Sequence, residues 1–167
     1  MHHLLVAYGS TRGGTAGLAE MIGEDLGAAG FDVEVRPAAE VRSLDGVDAV
    51  IVAGAVYANR WHRDARRLVR RQESALRERP VWLVSSGPLG RSAHAAEIPP
   101  VHQVARIMSR IGARGHVTFG GRLEAGATGF PARAMAAKLA GDWRDPEQVR
   151  HWAASVAGEL SALDAVA

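Results

Sequence analysis

Between a short apolar run, Leu4-Leu5-Val6-Ala7-Tyr8, and a helical pattern that begins at Thr15 lies the loop Gly9-Ser10-Thr11-Arg12-Gly13-Gly14-Thr15. This strand–loop–helix order constrains the chain more than any other feature. Three hydroxyls, successive backbone N–H groups and a helix N-terminus converge on one point. Such a point suits a dianionic phosphate monoester, because the helix end brings partial positive charge and unpaired donors. Gly13 and Gly14 let the backbone turn tightly and come close to a ligand with no Cβ in the way. A nucleotide P-loop would end in Gly-Lys-Ser/Thr, and this loop has no lysine. A dinucleotide fingerprint would need G-x-G-x-x-G and an acid after the second strand, and neither spacing fits. A phosphoacceptor receiver domain would need acids at the ends of strands one and three, where Tyr8-Gly9 and Ala53-Gly54 stand. The alternative to a phosphate cradle is an ordinary Ser/Gly-rich turn with no ligand.

Apolar and amphipathic stretches alternate from end to end. Leu18, Ala19, Ile22 and Leu26 share one helical face, which the Gly27–Gly30 stretch ends. Phe31, Val33 and Val35 alternate with charged residues, the pattern of an edge strand. Ala49–Ala53 and Val81–Ser85 read as buried strands, and the sequence predicts one helix over Arg63–Arg79 between them. Val101–Ile111 is a further helix, and His116–Leu123 a fifth strand. The last helix opens on Asp145 as N-cap with Pro146 behind it, and buries Val149, Trp152, Val156, Leu160 and Leu163. Strands alternating with helices predict an α/β fold, a five-stranded parallel sheet with right-handed crossovers. With the edge-like strand beside the first, the order is 2-1-3-4-5, which brings the loops after strands one, three and four to one switch point. Residues 1–167 are expected to form one such domain.

The chain has no cysteine, which excludes disulfides, thiolate metal sites and cysteine nucleophiles. No apolar run reaches the ~18 residues of a membrane span. The start lacks the charged-then-apolar order of a signal peptide, so a cytoplasmic location is expected. A net charge of +2 does not argue for nucleic acid.

The loop Ser10-Thr11-Arg12-Gly13-Gly14-Thr15 resembles the flavodoxin fingerprint T/S-x-T-G-x-T, with Arg12 in place of the third-position hydroxyl. The resemblance extends over the whole strand pattern and implies a flavodoxin-like three-layer sandwich that binds flavin mononucleotide (FMN). It implies that the loops after strands three and four enclose the isoalloxazine ring. The first of these supplies Ala55, Val56, Tyr57, Ala58, Asn59 and Trp61; Tyr57 or Trp61 would stack on the ring, unless Trp61 seals the next helix onto the sheet. The second is Ser85-Ser86-Gly87-Pro88-Leu89-Gly90, small enough for a planar ring to lie against its backbone. Gly54-Ala55-Val56-Tyr57 with Trp61-His62, and Phe119-Gly120-Gly121-Arg122-Leu123, resemble flavodoxin-like proteins related to menaquinone-dependent protoporphyrinogen IX dehydrogenase. The three loops hold no Asp or Glu, while Arg12, Arg60 and Arg91 lie in or beside them. Positive charge favours the reduced flavin anion and raises its potential. The expected function is therefore an FMN-dependent oxidoreductase of the protoporphyrinogen or quinone type. The alternatives are an electron carrier without a small-molecule substrate and a flavin-free interaction domain.

His62, at the start of the Arg63–Arg79 helix, is the candidate for proton delivery; the competing role is helix capping. His102, His116 and His151 show no metal-ligand grouping, and the adjacent His2 and His3 read as a metal pair, a tag stub or an incidental pair. The band Arg63, Arg66, Arg67, Arg70, Arg71 and Arg77 is suited to an acidic lipid surface or an acidic redox partner, or is simply solvated. Residues 124–142 read as an inserted helical segment, either a lid or docking element or packing for the sheet edge.

Overall fold

The computed structural model describes residues 2–11, 13–87, 98–123 and 141–167. The strands are β1 (His3–Gly9), β2 (Asp32–Pro37), β3 (Ala49–Tyr57), β4 (Arg60–Trp61), β5 (Val81–Ser86), β6 (Gly115–Phe119), β7 (Arg122–Leu123) and β8 (Gly141–Asp142). The helices are α1 (Gly14–Ala28), α2 (Arg63–Arg71), α3 (Glu73–Arg77), α4 (His102–Ile111) and α5 (Pro146–Val166). Five parallel strands pair in the order β2-β1-β3-β5-β6, which is the expected 2-1-3-4-5 once the two-residue β4 is set aside.

Strand alternation explains why the central strands are apolar on both faces. Leu5, Ala7, Val50, Val52, Val81 and Leu83 point to a core completed by α2, α3 and α4. Leu4, Val6, Ile51, Ala53, Trp82 and Val84 point to the opposite core, completed by α1 and α5. The result is three layers, helices on both faces of one sheet. β2, at the edge, is nowhere fully buried.

The parallel register aligns the carboxyl ends. Gly9 pairs with Gly54, Gly54 with Ser85, and Ser86 with Phe119, so the loops beyond them leave the sheet at one level.

Two expected elements differ. The helix over Arg63–Arg79 is divided at Gln72, whose backbone leaves the helical region (φ −110°) while its side-chain amide donates to Arg42 O at 2.9 Å. The fifth strand ends at Phe119 rather than Leu123. There Gly87 N–H donates to Phe119 O (3.1 Å), and β7 pairs antiparallel with β8 instead of extending the sheet. The capping of α5 is as expected, with Asp145 accepting from the backbone N–H of Glu147 (3.0 Å) and Gln148 (3.4 Å). Trp152 and Leu163 of its expected stripe are only half-buried, and Trp152 stands edge-on to Phe119 at 5.8 Å.

Candidate functional site

A narrow cleft opens where the carboxyl ends converge. The β1–α1 loop supplies Ser10, Thr11, Gly14 and Thr15; β3 supplies Ala55, Val56 and Tyr57; β5 and the segment after it supply Ser86 and Gly87. Gly121 and Arg122, beyond β6, close the remaining side. Glycine is needed where backbones nearly touch. A Cβ on Gly87 would stand 3.0 Å from Val56 O, and one on Gly121 would stand 3.3 Å from Gly87 Cα. Where Gly87 and Gly121 pass, the cleft wall is thus bare peptide.

The floor is the start of α1. Its N-cap, Gly13, takes φ 79°, a left-handed conformation that a side chain rarely adopts, and among the described residues no side chain caps the helix. The first-turn amides therefore keep their donor capacity, reinforced by the dipole of a 15-residue helix. The Ser10 hydroxyl accepts from Gly13 N–H at 3.1 Å, which leaves its own proton to be donated elsewhere.

Thr11 is oriented by the same logic. His62 caps α2, its Nδ1 accepting from Asp64 N–H at 3.2 Å. The neutral ring must then carry its proton on Nε2, which lies 2.9 Å from Thr11 Oγ1 and donates to it. The threonine proton is again left over for a ligand. Burial holds the His62 pKa below its usual value, helped by Arg63 and Arg66 and opposed by Asp64, so the ring is neutral near pH 7. Gly9 makes this contact possible, since a Cβ there would lie 2.7 Å from His62 Nδ1. His62 therefore caps a helix and aims a hydroxyl; its two ring nitrogens are both engaged within the protein.

Arg144 fastens the other side of the loop. It forms a two-pronged ion pair with Asp142 (2.9 and 2.6 Å) and reaches Gly14 O at 3.4 Å. Their hydrogen bond lowers the Asp142 pKa and raises that of Arg144.

The expected site residues divide accordingly. Ser10, Thr11, Gly14, Thr15, Ala55, Val56, Tyr57, Ser86 and Gly87 line the cleft, with Gly13 as its turn. Ala58 and Asn59 instead form an exposed two-residue turn between β3 and β4, with φ of 48° and 59°, and do not line the cleft. Trp61 is 1% exposed and donates its indole N–H to Val84 O (3.2 Å), so it packs in the core and offers no ring face for stacking. Ser85 is buried against His116, Oγ to Nε2 2.8 Å, one residue too early to reach the cleft. Arg12, Pro88, Leu89, Gly90 and Arg91 lie outside the described residues, as does the inserted segment apart from Gly141 and Asp142. Gly121 and Arg122 are not among the expected site residues, although the Gly-Gly pair after Phe119 is itself a signal for close backbone approach.

Burial lowers the His116 pKa to about 4. The ring stays neutral in the folded chain, while an unfolded one protonates near 6.5. Its contribution to stability is therefore complete above pH 6.5 and is lost as pH falls toward 4. Urea unfolding should show His116 costing on the order of 2 kcal/mol between pH 7.5 and 5, and His116→Gln should flatten that slope. Identical slopes in both proteins would contradict this assignment.

No helix among the described residues is long and apolar enough to cross a membrane. The family model described as a flavodoxin domain matches residues 5–149. A flavodoxin from Nitratidesulfovibrio vulgaris (strain Miyazaki F) is 43% identical over 54 residues, which covers 30% of this chain and 36% of that protein. A flavodoxin from the domain Archaea superposes with a TM-score of 0.64 at 16% identity, covering 95% of this chain and 99% of that one. Oxidised flavodoxin 2 from Bacillus cereus gives 0.61 at 18% identity, covering 94% and 99%. Rubredoxin:oxygen oxidoreductase from Desulfovibrio gigas gives 0.66 at 14% identity, covering 97% of this chain but 37% of that one. At these identities the structural likenesses establish the fold.

Proposed function

The chain belongs to the flavodoxin domain family, whose cofactor is FMN, and on that premise we propose that it is an electron carrier holding one FMN in the cleft. The observation that carries this reading is the uncapped start of α1 with two hydroxyls beside it, Ser10 and Thr11, each already accepting one hydrogen bond. The donor set matches a phosphate dianion, and the bare backbone of Gly87 and Gly121 beside it puts no side chain in the way of a flat ring. Ser10, Thr11 and the amides of Gly14 and Thr15 would hold the phosphate, and the backbone around Ala55–Tyr57 and Ser86–Gly87 would hold the ring. The flavin supplies reversible uptake of one or two electrons; the chain supplies position, exclusion of water and charge.

Charge favours a second reading, an oxidoreductase acting on a quinone or porphyrinogen. No acidic residue among the described ones lines the cleft, whereas Arg122 does, and the adjoining depression carries Arg60 and Arg63 against Asp64. Cationic surroundings favour two-electron reduction at a raised potential. A reductive titration of the FMN-loaded chain separates the two. Uptake of one electron in the first step, read from long-wavelength absorbance, supports the carrier. Direct two-electron bleaching with quinone turnover supports the enzyme. In either case Arg122→Gln should lower the flavin potential by about 10–40 mV, the worth of one exposed charge. An unchanged potential would contradict the charge argument.

A further inference from the structure

Beside the cleft, a groove of about 610 Å³ runs between α2 and α4. Arg63, Arg66, Arg67 and Arg70 line it from α2, Arg106 and Arg110 from α4, and among the described residues no acidic side chain does. Two of the six are partly neutralised, Arg110 by Glu73 (3.1 Å) and Arg63 by Asp64 (3.6 Å). Arg66 is held by its Nε donation to Trp61 O (3.0 Å). Arg67, Arg70 and Arg106 are exposed with no carboxylate partner among the described residues. These six charges exceed the net +2 of the whole chain, so the rest of the molecule is net negative. The basic charge is thus a localised pole, able to orient an approaching partner.

We propose that this groove docks an acidic redox protein, an inference that rests on the carrier reading above. Location is the first argument. Arg63 also borders a depression lined by Ser10, Thr11 and Tyr57, so the groove runs into the edge of the cofactor cleft. A partner seated on the arginines is held against the site that would deliver the electron. Shape is the second. Two helices flank a concavity that accepts a protruding acidic loop, and guanidinium groups pair with carboxylates in two-pronged fashion. A lipid surface fits less well, because membrane-binding faces insert apolar side chains. Among the described residues the exposed large apolar side chain is Val166, at the far end of α5 and not in the groove.

The test compares the full FMN-loaded chain with its R67Q/R70Q/R106Q variant, whose substitutions leave the cleft intact. Three probes are used: a labelled deca-glutamate peptide, oxidised rubredoxin as an acidic one-electron acceptor, and oxidised cytochrome c as a basic one. Each ferric acceptor takes one electron from dithionite-reduced protein and becomes ferrous. The variant should bind the peptide about tenfold more weakly and reduce rubredoxin about tenfold more slowly at low salt. Both differences should vanish between ~20 and ~300 mM salt, while cytochrome c reduction is not slowed in the variant. Equal peptide binding and equal rubredoxin rates in the two proteins would overturn the proposal. So would arginine-dependent binding to phosphatidylglycerol vesicles without any effect on peptide or rubredoxin. If the chain takes up no FMN, the carrier reading falls, and peptide binding alone decides whether the groove recognises acidic protein.

Discussion

The Ser10→Ala/Thr11→Ala double variant should lose FMN affinity by two to three orders of magnitude while keeping most of its affinity for riboflavin. Each hydroxyl oxygen already accepts a hydrogen bond, from Gly13 N–H and from His62 Nε2–H, so each proton is free to be given to an anion. A hydrogen bond to a charged group contributes about 1.5–3 kcal/mol, and two of them correspond to roughly a hundredfold to a thousandfold or more in affinity. Quenching of flavin fluorescence on titration measures both ligands. Riboflavin has the ring but no phosphate, so it controls for damage to the ring-binding wall. Equal losses for FMN and riboflavin would place these hydroxyls at the ring, not at the phosphate.

The largest effect on stability is expected at Gly54. A Cβ there would overlap Trp61 Nε1 and stand 2.7 Å from Cε2 and 2.8 Å from Cδ1. The indole cannot step aside, because it is buried in the core and bonded to Val84 O. Gly54→Ala must either break that bond or displace β3, which pairs on one side with β1 and on the other with β5. Overpacking costs about 1–3 kcal/mol and a buried donor left unpaired about 1–3 more, so a loss of about 3–5 kcal/mol is expected. Gly27→Ala is the matched control. It lies near the end of α1 with nothing within 4 Å of an added Cβ, and should stabilise by about 0.5–1 kcal/mol. Urea unfolding followed by tryptophan fluorescence measures both, and a Gly54→Ala cost below 1 kcal/mol would contradict the packing described.

Much of the frame is written in local pattern. The apolar runs at Leu4–Tyr8, Ala49–Ala53 and Val81–Ser85 announce strands covered on both sides, and the alternation at Phe31–Arg36 announces an edge. The strand order follows from these, and with it the meeting of the Ser10–Thr15 loop, the end of β3 and Ser86-Gly87. What sequence could not decide are choices made by contacts distant in the chain. Trp61 next to a binding loop reads equally well as a stacking ring or as core, and the bare Gly54 opposite it settles the matter for core. Ser85 and Ser86 look alike in sequence; strand alternation turns the first to His116 and leaves the second in the cleft. The continuation of His116–Phe119 into Arg122-Leu123 reads as one strand, yet the close pass of Gly121 over Gly87 diverts the chain to pair with Gly141-Asp142. His62 shows its role only when Asp64 N–H and Thr11 Oγ1 are seen on opposite nitrogens of its ring.

The central claim is that the β1–α1 loop holds the FMN phosphate as a dianion. Phosphorus NMR of the FMN-loaded chain tests it most directly, because a free phosphate monoester titrates with a pKa near ~6. Donors from a helix N-terminus and two oriented hydroxyls stabilise the dianion and drive that pKa down. The bound signal should therefore hold one chemical shift from about pH 5.5 to 8, the range over which the free monoester titrates. A bound signal that follows the titration of free FMN would contradict the account.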